Sequence, residues 1–153
     1  MKRFALGISY VGQRYCGYQS QGLDNSVQEC VEFAIAKVSN HPIKIMCAGR
    51  TDAGVHAMIQ VVHFDSDAIR RSDQWLKGIN VNLPSDIKAL WVKEMDDSFH
   101  ARFSAISRAY VYVLNPGEED LFMDPYSWRV GELDVQQMQL AANVLIGEHD
   151  FFA

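Results

Sequence analysis

The sequence is poor in cysteine: Cys16, Cys30 and Cys47 are the only three, and no C-x-x-C pair occurs. An odd count at irregular spacing argues against a disulfide framework and a cysteine-based zinc site. Reduced thiols are the expected state, with Cys30 and Cys47 in apolar patterns that read as core. No apolar run approaches the roughly 20 residues that cross a bilayer. The opening MKRFALGISY has a basic pair but then alternates, without a long apolar region or a small-residue cleavage site. It reads as a first strand, not a signal peptide, and a cytoplasmic, membrane-free protein is expected. Internal repeats, low-complexity tracts and Gly/Ser linkers are also missing, which removes solenoid and disordered classes.

What is present is ordinary globular material. The chain has 153 residues, 48% hydrophobic and 22% charged, enough for a core in one domain or two small ones. A net charge of −5 counts against a generic nucleic-acid binder. The charge is unevenly spread, however. Residues 1–60 carry six Lys/Arg against four Asp/Glu, whereas residues 101–153 carry three against eight. Either this is ordinary surface charge, or a local basic face lies near the N-terminal part.

Phe4, Leu6, Ile8 and Tyr10 alternate, the period of a half-buried strand. A Gly-rich polar loop follows from Val11 to Asp24. Asn25, with Gln28 three positions on, reads as a cap for a helix whose buried stripe is Val27, Val31, Ala34, Ile35 and Val38. Ile43–Cys47, Met58–Phe64, Ile87–Met95 and Ala109–Leu114 read as further strands. Ser72–Asn82 reads as a short helix stopped by Pro84, and Leu133–Ile146 as another, with Asp134 as cap and Gly147 as stop. Strands and helices mix without regular βαβ alternation. An α+β fold with a mainly antiparallel mixed sheet and helices on one face fits best.

The stretch Ala48–Ala57, AGRTDAGVHA, concentrates charge between two glycines. It is not a P-loop, because Gly54 is followed by Val55 and His56 where that motif requires Lys and Ser/Thr. It is a poor metal site, since His56 and His63 stand apart with no cysteine at ligand spacing. His56 reads as structural. Asp52 has Arg50 nearby as a counter-ion, and an ionised carboxylate in a pocket can act as nucleophile or general base. The competing reading is an Asx turn, in which Asp52 bonds its own backbone. The loop alone leaves both open.

GRTDAGVHA resembles the signature of the tRNA pseudouridine synthase A family. Other stretches agree in order: Tyr15–Gln21 with Asn25–Gln28, Gln60–Phe64, Asn82–Ile87, Phe99–Ala105 through Arg108-Ala-Tyr110, and His149–Phe151. The resemblance covers essentially the whole chain. It implies an isomerase that converts uridine to pseudouridine in the anticodon stem-loop of tRNA, without metal or other cofactor. The target nucleotide must then be flipped out of the stack. By resemblance Asp52 would be the catalytic carboxylate. Arg50 would pair with it and fill the space left by the flipped base, and Tyr110 would lie against the uracil. Arg14, Gln19, Gln21, Arg102 and Arg108 are candidate RNA contacts.

The resemblance further implies a ferredoxin/RRM-like subdomain at residues 1–105 that carries the catalytic loop. Residues 106–153 would begin a second subdomain that the family continues further, and the family works as a homodimer. Val11 departs from the family, many members of which have an acidic residue there. The rival reading is a non-catalytic RNA-binding module of similar fold. It leaves Asp52 without a purpose, because a carboxylate repels phosphate, and no aromatic RNP signature is found.

Overall fold

The alternation at the N-terminus becomes β1, Lys2–Tyr10, in which Phe4, Leu6, Ile8 and Tyr10 are all at most 4% exposed. This computed structural model describes residues 1–22, 25–150 and 152. Asp24, expected to end the glycine-rich loop, and Phe151, part of the His149–Phe151 match, lie outside the described residues. Two compact units form, Met1–Arg108 and Ala109–Ala153.

In the first unit, α1 spans Val27–Ser39 and buries Val27, Val31, Ala34 and Ile35, with Val38 half-buried. Its cap differs from the expected one. Ser26 Oγ accepts from Glu29 N–H, and the Glu29 carboxylate accepts from Ser26 N–H, a reciprocal capping box one residue further along. Asn25 and Gln28 are engaged elsewhere: Asn25 Nδ2 donates to the Arg14 carbonyl, and Gln28 donates to Glu32. Hydrogen bonds from Ser20 and Ser26 hold the Glu29 carboxyl below its ordinary range.

The expected strand Ile43–Cys47 shortens to β2, Met46–Cys47. Ile45 N–H donates to the Glu32 carboxylate at 3.2 Å instead of to a strand, which holds this stretch against α1. Ile43 and Ile45 stay buried all the same. The strand expected at Met58–Phe64 is longer, as β3, Ala57–Ser66. α2, Ser72–Asn82, and β4, Ile87–Met95, have the expected bounds.

The strands form one sheet in the order β2-β3-β1-β4, every pairing antiparallel. Each β-α-β crossover therefore skips one position, which a strand of the other half fills. Both helices cover the face presented by Phe4, Leu6, Ile8 and Tyr10. Trp75 of α2 is fully buried between Phe4 and Phe64, with ring centroids 5.5 and 5.2 Å away. Burial of each such side chain contributes roughly 1.5–3 kcal/mol. Cys30 and Cys47 are half-buried against this core, and Cys16 is exposed.

On the opposite face, residues 97–101 are tied to the sheet. Arg3 forms a two-pronged pair with Asp65, at 2.8 and 2.7 Å, and donates to the carbonyls of Asp97 and Phe99. His63, 5% exposed, accepts from Ala101 N–H through Nδ1 at 3.1 Å.

The second unit holds β5, Leu114–Asn115, parallel to β6, Trp128–Arg129, and the helix α3, Val135–Asn143. The expected strand over Ala109–Leu114 is not formed; only Leu114 belongs to β5. Alternation supplies a face but not a ladder: the Val113 carbonyl accepts from Trp128 N–H of β6 at 2.7 Å, and the paired register begins only at Leu114. Tyr110 and Tyr112 are each 76% exposed. α3 is shorter than the expected Leu133–Ile146. Asp134 caps it by accepting from Gln137 N–H. After Asn143 the chain turns more tightly, with Val144, Leu145 and Ile146 N–H each bonded three residues back, before Gly147 at φ +115°. Among the described residues, no helix is long and apolar enough to cross a membrane.

Candidate active site

The segment from Ala48 to His56 connects β2 to β3, and almost every second residue of it is fixed from outside. Ala48 N–H donates to the Val61 carbonyl at 2.8 Å, the last rung before the loop opens. Gln60 Nε2 donates to the Gly49 carbonyl at 2.5 Å. Thr51 is held twice: its hydroxyl shares a 2.8 Å hydrogen bond with the Tyr10 hydroxyl, and its carbonyl accepts from Tyr18 N–H at 2.9 Å. Gly54 N–H reaches the Tyr15 carbonyl at 3.4 Å, and His56 Nδ1 accepts from Gly12 N–H at 3.2 Å. His56 thus has a structural part, as its sequence context implied.

Two loops are therefore locked together, residues 48–56 and residues 11–21. The lock depends on missing side chains. A Cβ at Gly12 would stand 2.0 Å from the Val55 carbonyl oxygen. Gly17, at φ +105°, passes so near that its Cβ would lie 3.0 Å from the Thr51 oxygen. The 11–21 loop is anchored in turn. Tyr15 and Tyr18 are buried in the core cluster, and Tyr15 donates from its hydroxyl to Asp86 at 2.6 Å. Burial, and then the bond to Asp86, push the Tyr15 phenol well above its ordinary range.

Inside this frame Asp52 is exposed. Its backbone carbonyl accepts from Val55 N–H at 3.2 Å in a turn completed by Gly54 at φ +79°. The turn is made by main chain, so the side chain is not spent on an Asx turn. Among the described residues, no hydrogen bond or ion pair involves the Asp52 carboxylate. Arg50 is exposed as well, and among the described residues no ion pair joins it to Asp52. The counter-ion pairing expected from their spacing is not made.

The remaining candidates separate by use. Arg14 lies 3.5 Å from the Asp86 carboxylate, with its side chain largely exposed. Gln19 and Gln21 are exposed. Arg102 is exposed and its guanidinium carbon lies 5.7 Å from the centre of the Phe103 ring. Arg108 turns back onto the loop, where its Nε and Nη2 donate to the Ala48 carbonyl. Tyr110 belongs to the second unit, in the exposed stretch before β5. Tyr10, Gly12, Tyr15, Tyr18, Gln60 and Asp86 hold the two loops, and nothing in the sequence singles them out for that part. Their signal is weak: tyrosines in a strand or loop read as generic core. Among the described residues, no group of three or more His, Cys, Asp or Glu is placed to hold a metal ion.

The family model described as tRNA pseudouridine synthase matches residues 7–104, which include both interlocked loops. The chain belongs to the tRNA pseudouridine synthase family. Among curated relatives, tRNA pseudouridine synthase A of Verminephrobacter eiseniae is 48% identical over 153 residues, covering 99% of this chain and 56% of that protein. The enzyme of the same name from Shewanella sediminis is 50% identical, covering 97% of this chain and 58% of its own length. That of Alcanivorax borkumensis is 49% identical, with 100% and 58% covered. The chain thus spans 56–58% of these pseudouridine synthases.

Proposed function

We propose that the protein isomerises uridine to pseudouridine in the anticodon stem-loop of tRNA, with Asp52 as its catalytic carboxylate. The observation that carries this reading is the state of that side chain: exposed and, among the described residues, unbonded, on a loop whose backbone is fixed on both sides of it. A structural aspartate spends its oxygens on caps, turns or ion pairs. A catalytic one must be free to meet the substrate while its backbone stays still, because rate depends on placement. Family membership and the names of the relatives support the same reading.

The reaction breaks the bond from C1′ to N1 of the uracil, joins C1′ to C5, releases the C5 hydrogen as a proton and leaves N1 to take a proton up. Product and substrate are isomers, so no co-substrate is consumed. A base stacked in RNA cannot bring C1′ or C6 to a carboxylate, so the nucleotide is flipped out, at a cost of a few kcal/mol. Contacts to RNA offset that cost. Arg50, exposed two residues from Asp52, is suited to the vacated space, since its planar fork can stack and also grip a carboxylate. Tyr110 would stack on the extruded uracil. Arg14, Gln19, Gln21 and Arg102 are exposed where they could meet the phosphates. Residues 1–105 are read as a ferredoxin/RRM-like subdomain that carries the loop. Residues 106–153 are read as the opening of a further subdomain. A homodimer working in the cytoplasm completes the reading.

The test is tritium release from tRNA labelled at uridine C5, using the full-length protein and its Asp52→Asn variant. Release by the parent that vanishes in the variant establishes the assignment. If the parent binds tRNA but releases no tritium, the non-catalytic RNA-binding module is the better account.

A further inference from the structure

Arg108 is a candidate RNA contact by its sequence context, yet the structure spends most of its guanidinium on protein. Nε and Nη2 donate to the Ala48 carbonyl at 3.0 and 2.7 Å, and Nη2 donates also to the Arg102 carbonyl at 3.0 Å. The three hydrogens on that side of the fork are thereby used, and only Nη1 remains for anything else. We propose that Arg108 is a positioning residue for Asp52, joining the base of the catalytic loop to the turn at residues 100–104. The inference rests on the catalytic reading of Asp52.

The placement explains why an arginine is useful there. Ala48 directly follows Cys47, the last residue of β2, and its N–H is already held by β3. Fixing its carbonyl as well leaves the Gly49–Asp52 arm little freedom to pivot about that residue. The other attachments act further along, at Gly49, Thr51, Gly54 and His56. The second anchor is itself firm. The turn holding Arg102 is tied to the sheet by Ala101 N–H on His63 and closed by Ser104 N–H on the His100 carbonyl, at 2.7 Å. A planar fork can bridge two carbonyls at once, whereas an ammonium presents no such fixed geometry. Because these bonds are exposed, their effect is on position more than on stability. A displacement of about 1 Å at a reacting group can lower a rate by roughly a hundredfold.

The experiment uses the full-length protein with Arg108→Ala and Arg108→Lys. It measures the single-turnover rate of pseudouridine formation, the Kd for tRNA across a salt series, and amide hydrogen exchange at residues 49–52. A thermal scan of each variant accompanies these. The expected result is a rate lower by about 10- to 100-fold in Arg108→Ala and by less in Arg108→Lys. Kd and its salt slope should match the parent, while exchange in the loop becomes faster. An RNA contact would instead weaken binding and reduce the salt slope by about one. That outcome overturns the proposal, as does an unchanged rate in Arg108→Ala. If Arg108→Ala does not fold, Arg108→Lys decides alone, and a parental rate with parental loop exchange sinks the idea. Failure of the catalytic reading shows separately, as an Asp52→Asn variant that keeps the parental rate.

Discussion

Gly12 and Val55, from two loops distant in sequence, approach so closely that a Cβ on the first would sit 2.0 Å from the carbonyl oxygen of the second. The obstacle is backbone, which cannot swing aside as a side-chain tip can. Gly12→Ala is therefore expected to separate the loops and strain the His56 attachment beside them. The cost should be about 1–3 kcal/mol, as for overpacked sites. Urea unfolding of the variant checks the stability. Single-turnover assays of the full-length form should show a larger proportional loss in rate than in tRNA affinity.

Asp52→Asn should separate chemistry from folding. The carboxylate is exposed and takes part in no hydrogen bond or ion pair among the described residues, so stability should stay within about 0.5 kcal/mol of the parent. Turnover should fall by on the order of 10⁴-fold or more, as when a reacting group is removed. A variant that unfolds easily would show instead that Asp52 serves the structure.

The Tyr10 and Thr51 hydroxyls hold the loop at a point next to Asp52, 2.8 Å apart. Tyr10→Phe and Thr51→Val should each destabilise the fold by about 1 kcal/mol. In a double-mutant cycle the second change should cost less once the first is made, with a coupling of about 0.5–1 kcal/mol. Strict additivity would show that the two groups do not stabilise each other.

Acid should loosen the sheet face opposite the helices through His63. Burial, then the neighbouring Arg3 and His100 charges, hold its imidazole below the ordinary range, against the opposing pull of Asp65. Above about pH 6.5 both folded and unfolded chains carry it neutral, and the contribution is fully present. As pH falls below that value the unfolded chain takes up a proton that the folded chain resists, so stability is lost. Urea midpoints measured from pH 7.5 down to 5.5 should decline, and His63→Gln should flatten the decline. Asp65, whose carboxyl the Arg3 guanidinium holds low, loses its contribution only in more acidic solution. The two windows are therefore separable.

Periodic segments are legible in the chain itself. Phe4 to Tyr10 announce β1, and the apolar positions of Ser72–Asn82 and Ile87–Met95 mark α2 and β4 to the residue. Ends that depend on one hydrogen bond are less so. The α1 cap falls on Ser26 because Asn25 and Gln28 find other partners, and Ile43–Ile45 loses its strand to the Glu32 carboxylate. Alternation at Tyr110 and Tyr112 is real, but the ladder with β6 begins only at Leu114.

The family and the residue types of the loop at residues 48–57 were legible in the chain alone, because motif and periodicity are local properties. The loop taken alone left Asp52 open as a turn former or a reactive carboxylate. Only the tertiary structure showed the turn made by main chain and the carboxylate unbonded among the described residues. Tertiary structure alone also brought Arg108 onto Ala48, sixty residues back, and Tyr10 onto Thr51, forty-one residues on. Such bonds are decided by which polar groups the folded sheet brings within 3 Å or so, and no local pattern encodes that distance.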